Sequence, residues 1–223
     1  ELGIGGTLIS QHQANPANHY SAGGGTYAYY ANVLNRVAGA SLTNGIRGVL
    51  WHQGENNSGA AAPTGDWDYK SYQQYFMSMS AAWKQDYPNI QHYYVYQVWP
   101  LPCAMGPKGD QLRDVQRTLP RIFSNLRVMS TVGMTNYNAS NRGLCHFDGL
   151  GYTQIAKFMA SLVAQDNYGF VPTQPITAPD LIRPVEAELE KRELNTSYPP
   201  QGARGTGCAS QLSAGMATAM VAN

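Results

Sequence analysis

Along the chain, short apolar runs alternate with stretches whose apolar residues recur at three- and four-residue steps. Ile46 to Trp51, His92 to Val98 and Leu126 to Val132 are rich in β-branched and aromatic residues and have the length of buried strands. Helical patterns lie between and around them. From Asp68 to Tyr87 the residues Tyr72, Tyr75, Phe76, Met79, Ala82 and Trp83 share one helical face, and Pro88 follows the end. A second pattern runs from Asp110 to Phe123 with Leu112, Val115, Gln116 and Leu119 on one side, where Pro120 can end it early. A third, Gly151 to Ala164, carries Ile155, Phe158, Met159 and Leu162, and an earlier helix is predicted near Tyr27 to Val37. This alternation predicts an α/β domain with a mainly parallel sheet and right-handed crossovers, whose ligands bind outside the carboxyl ends of the strands.

The pattern divides the chain in two. Residues 1–171 carry the alternation, whereas residues 172–223 begin Pro-rich, pass through a short charged run and end in small-residue low complexity, a tail with little core of its own that either wraps the domain or continues into a further segment. Composition narrows the function classes. A formal net charge of +1 and 13% charged residues give no electrostatic footprint for nucleic acid. No apolar run approaches the roughly 20 residues that cross a bilayer, and the start, ELGIGGTLIS, lacks the basic and long apolar regions of a signal peptide, so a soluble chain is expected. The three cysteines, Cys103, Cys145 and Cys208, have no CxxC spacing for zinc or thioredoxin-like chemistry. Neither a metal nor an organic cofactor is expected. The tripeptides at Asn56, Asn138 and Asn195 match glycosylation sequons, a pattern frequent by chance.

The chemistry concentrates where the first apolar run ends, in GVLWHQGENN, Gly48 to Asn57. Glu55 is either a solvated residue after a strand or, in the company of Gln53, Asn56 and the water-excluding Trp51, a carboxylate able to fix an imidazole. Gln53 can donate to an oxyanion. His146 follows the third strand and precedes a helix, so it is expected at the same sheet edge; taken alone it is either a capping residue or a catalytic base.

Three blocks, GGTLIS (Gly5 to Ser10), GIRGVLWHQGENN (Gly45 to Asn57) and CHFDGLGYTQIA (Cys145 to Ala156), occur in an order that resembles the sialate O-acetylesterase and acetylxylan esterase group of SGNH-type hydrolases, over roughly residues 1 to 165. The resemblance implies a three-layer α/β/α, flavodoxin-like fold. It implies that His146 is the general base, that Gln53 and a backbone N–H of Gly6 or Gly5 form the oxyanion hole, and that an acetyl ester on a carbohydrate is the substrate. Where many SGNH enzymes have an Asp three residues before the catalytic His, this chain has Gly143. Glu55 is therefore the expected partner of His146, with Asp148 as the fallback acid.

The family's serine stands in a GxSN-type block at the end of a first strand, before the GGT block. No GxSN, GDS or GxSxG occurs in the 223 residues, and Ser10, Ser21 and Ser58 lack the nucleophile context. The expectation is that the first strand and its serine come from an N-terminal segment or chain outside these residues, and that this chain alone is inactive. Cys103 and Cys145 are both expected on the site rim, either as a disulfide that implies a secreted or periplasmic setting or as two free thiols. Trp67, Trp99 and Tyr137 either pack or stack on sugar rings. The rival reading is a non-catalytic carbohydrate-binding or structural module on the same fold; a lipase or thioesterase of the wider group is disfavoured by the WHQGE block.

Overall fold

The computed structural model describes residues 6–59, 69–98, 108–131, 147, 149–171 and 218–222. In chain order these form α1 (Ala28–Gly39), β1 (Ile46–His52), α2 (Tyr69–Asp86), β2 (His92–Tyr96), α3 (Gly109–Thr118), β3 (Leu126–Met129), α4 (Gly149–Tyr168) and β4 (Thr218–Ala222). The sheet order is β3-β2-β1-β4. β1 pairs parallel with β2, and β2 with β3, as a chain of right-handed crossovers requires. β4, which no apolar pattern in the tail predicts, pairs antiparallel with β1 on the edge away from β2.

Period decides which residues face which layer. Val49 and Trp51 of β1, with Tyr93 and Val95 of β2 and Val128 of β3, join Leu34 of α1, Phe76, Met79 and Trp83 of α2 and Leu112 of α3 in one core. Strand residues on the opposite face, Tyr94, Tyr96 and Met129, pack with Ile155, Met159 and Leu162 of α4. Three helices thus cover one face and α4 the other, which makes three layers. Among the described residues no helix is long and apolar enough to cross a membrane.

The differences from expectation are local. Tyr75 stands 37% exposed beside the α2 stripe, because Tyr72, Phe76, Met79 and Trp83 already fill the buried arc. α3 stops at Thr118 and continues as a single tighter turn, Leu119–Arg121, where Pro120 has no N–H to extend the α-helix. α4 runs beyond the expected Gly151 to Ala164 at both ends. On α3 the buried side includes Arg113 and Arg117 as well as Leu112, so a helix face that reads as polar faces inward.

Candidate active site

β1 delivers the WHQGEN block to the carboxyl edge of the sheet. Trp51 is buried in the α1–α3 core, its indole N–H donating to the Tyr72 hydroxyl at 3.0 Å. That hydroxyl donates in turn to the Gln53 carbonyl at 2.8 Å, and Gln116 Nε2 donates to the same carbonyl at 3.1 Å and to the Tyr72 oxygen at 3.3 Å. Two helices therefore hold the backbone where the strand ends. Burial pushes the Tyr72 hydroxyl well above its ordinary range, opposed by the bonds from Gln116 and Trp51 and reinforced by the charge of Glu55, so it remains a neutral donor.

The chain then turns sharply at Gly54. Its φ of 151° is strained for a side chain, and a Cβ there would lie 2.8 Å from both Leu112 Cδ2 and Val98 Cγ1. Glycine is required by conformation and by space together. The turn closes through Ser58, whose N–H reaches the Gly54 carbonyl at 3.0 Å and whose hydroxyl donates to the Glu55 carbonyl at 2.6 Å.

Gln53 is buried, and both N–H groups of its amide are engaged, one with the Thr7 carbonyl at 2.9 Å and one with Asn57 Oδ1 at 2.7 Å. Asn57 Oδ1 also accepts the Ile9 N–H at 3.0 Å, which fixes the Asn57 amide and with it the orientation of Gln53. The GGT block is thereby tied to the WHQGEN block. Gly6 itself is exposed and adopts φ 71°. Thr7 Oγ1 lies 2.8 Å from His12 Nε2, and burial lowers His12 to about 4, leaving a neutral imidazole edge-on to Trp51.

Glu55 is 6% exposed, so it is no solvated strand-end residue. Its Oε1 lies 3.6 Å from His52 Nε2, and its charge helps burial to raise the hydroxyl of Tyr152 on α4. Four buried atoms in this stretch, His52 Nε2, Gln53 Oε1, Glu55 Oε2 and Asn56 Oδ1, have no hydrogen-bond partner among the described residues. Asn56 is itself buried, which removes that sequon as an accessible glycosylation site.

The structure thus brings Gln53 and Glu55 together with Thr7, Asn57, Tyr72 and Gln116. Gly5, Cys103, Cys145, His146 and Asp148 lie outside the described residues, as do Trp67, Trp99 and Tyr137. Phe147, the neighbour of His146, is buried in the α4-side core. Sequence reading missed the supporting roles of Tyr72 and Gln116. The signal for Gln116 was its place on an otherwise apolar helix face, whereas nothing local marks the Tyr72 hydroxyl as a donor to β1.

Fold and turn together define an α/β protein with a polar site at the carboxyl edge of its parallel strands. The chain belongs to the carbohydrate esterase, sialic acid-specific acetylesterase family, whose model matches residues 1–165. No curated protein and no solved structure matches it. Family membership supports a carboxylic ester hydrolase with an acetylated sugar as substrate.

Proposed function

We propose that the protein hydrolyses O-acetyl esters on sugars, of sialate or xylan type, by a Ser-His-Glu mechanism whose serine comes from outside these 223 residues. The serine oxygen attacks the acetyl carbonyl while His146 takes its proton; Glu55 orients the imidazole, and the returned proton leaves with the sugar hydroxyl. Water repeats the sequence on the acyl-enzyme and releases acetate. Gln53 and the Gly6 or Gly5 N–H stabilise the oxyanion, with Gln53 exchanging one of its two present bonds for the oxyanion.

The observation that carries this reading is the buried Glu55, whose Oε2 has no partner among the described residues and is available to an imidazole N–H. A secreted or periplasmic setting goes with pairing of Cys103 and Cys145.

The test is acetate release from O-acetylated sialic acid and acetylated xylan. The 223-residue chain is expected to release none, and the protein extended upstream through a GxSN block is expected to turn over. In the extended protein Gln53→Ala lowers kcat about 10²–10³-fold. An unchanged rate removes Gln53 from the oxyanion hole. Turnover by the 223-residue chain that His146→Ala abolishes would put the nucleophile inside it, and sugar binding without acetate release by the extended protein would favour the binding module.

A further inference from the structure

We propose that His52, the last residue of β1, is a positioning residue that holds the Glu55 carboxylate; the inference rests on the reading of Glu55 as the acid that serves the catalytic base. Strand alternation turns Trp51 into the α1–α3 core and sends His52 to the α4 side, together with Leu50. There His52 is the parallel partner of Tyr96 on β2, and the two rings lie 5.4 Å apart. The Tyr96 ring thus borders the imidazole on one side.

Three residues further on, the turn at Gly54 brings Glu55 back, with Oε1 3.6 Å from His52 Nε2. Both side chains are largely buried, and His52 Nε2 has no hydrogen-bond partner among the described residues. At a separation shortened to about 3 Å the pair would form a charge-assisted hydrogen bond. A buried carboxylate needs donors to offset lost hydration. Of the groups whose electrostatics couple to Glu55, Tyr72 on α2 has given its O–H to the Gln53 carbonyl, and Tyr152 on α4 is held neutral partly by the Glu55 charge. Among the described residues His52 is the one basic side chain within 4.0 Å of the carboxylate.

With Nε2–H donating to Oε1, the carboxylate plane is fixed and Oε2, which has no partner, is left for a second donor. The shell around a catalytic group sets its precision in this way. His52 does not touch the reacting atoms; it acts through Glu55.

In the extended, active protein, His52→Phe keeps a ring and removes the donor, and is expected to lower kcat about 10–100-fold with KM unchanged. His52→Gln, which keeps an N–H, recovers most of that loss. On a Glu55→Ala background, His52→Phe has no further effect. In the 223-residue chain, ¹⁵N spectra of the His52 ring are expected to show the Nε2–H tautomer, and Glu55→Gln to redistribute it. The proposal is overturned if His52→Phe leaves kcat unchanged, if its effect multiplies with that of Glu55→Ala, if His52→Gln does no better than His52→Phe, or if the tautomer ignores Glu55. Should Glu55→Ala leave the rate intact, the reading of Glu55 fails, and the spectra still decide whether His52 and Glu55 pair.

Discussion

Two buried polar clusters sit at the carboxyl ends of neighbouring strands, one after β1 and one after β2. After β2, most donors and acceptors are matched internally, Arg113 Nε being the exception among the described residues. Arg113 gives N–H bonds to the Gln97 side chain at 2.8 Å, to the Val98 carbonyl and to the Thr131 hydroxyl at 3.3 Å. Gln97 Nε2 returns a bond to the Arg113 carbonyl at 3.2 Å, and Gln116 accepts the Val98 N–H at 2.9 Å. After β1, the backbone is also held by hydrogen bonds, yet side-chain atoms of His52, Gln53, Glu55 and Asn56 have no partners among the described residues. The β2 cluster joins α3 to the sheet, and the β1 cluster keeps polar atoms open at the carboxyl edge of the sheet, the edge where α/β proteins generally bind ligands. Unmatched buried polar atoms carry a free-energy penalty, so their concentration in one turn marks a place built for something other than stability.

That contrast is broken most directly at Arg113. Arg113→Met removes the guanidinium bonds to the Gln97 side chain and the Val98 carbonyl and is expected to lower unfolding stability by about 3–5 kcal/mol, read from the shift in urea midpoint. A loss below about 1 kcal/mol would mean the β2 cluster is not a lock.

Acid probes the β1 cluster next, through His12. His12 has a folded value of about 4 against 6.5 unfolded, so the unfolded chain binds more protons between those values. Its contribution is therefore full above pH 6.5 and lost as pH falls towards about 4, up to about 3 kcal/mol. The measure is the difference in pH dependence between the wild type and His12→Gln, whose stability should fall less steeply. Because His12 contacts Thr7, and the Thr7 carbonyl holds Gln53, protonation should loosen the β1 side first. Hydrogen exchange at Ile9 and Gln97 across this pH range distinguishes the two ends.

The smallest effect is expected at Glu55. Glu55→Gln removes a buried charge whose Oε2 has no partner, and should change thermal stability by less than about 1 kcal/mol, in the stabilising direction if at all. A large loss would place Glu55 with Arg113 as a structural residue.

The contrast also separates what one dimension carries from what three decide. Strand and helix positions were legible because a face is written as a period: Val49 and Trp51 against Leu50 and His52, or Phe76, Met79 and Trp83 along α2. The site blocks were legible because Gln53, Gly54 and Glu55 are neighbours in the chain. Arg113 was not, since a cation on a helix reads as solvent-facing until its partners, contributed by the segments after β2 and β3, are known. β4 was not either, because its pairing with β1 spans the whole chain and a low-complexity sequence carries no long-range partner.

The amino-acid sequence by itself determined the α/β alternation, the family and the residue types available for acyl transfer. Only tertiary structure decided that Glu55 is buried, that the Gln53 N–H groups are engaged with Thr7 and Asn57, and that His52 faces the carboxylate. The physical reason is that hydrogen bonding and desolvation depend on distances between residues far apart in the chain, whereas periodicity and motif spacing are properties of neighbours.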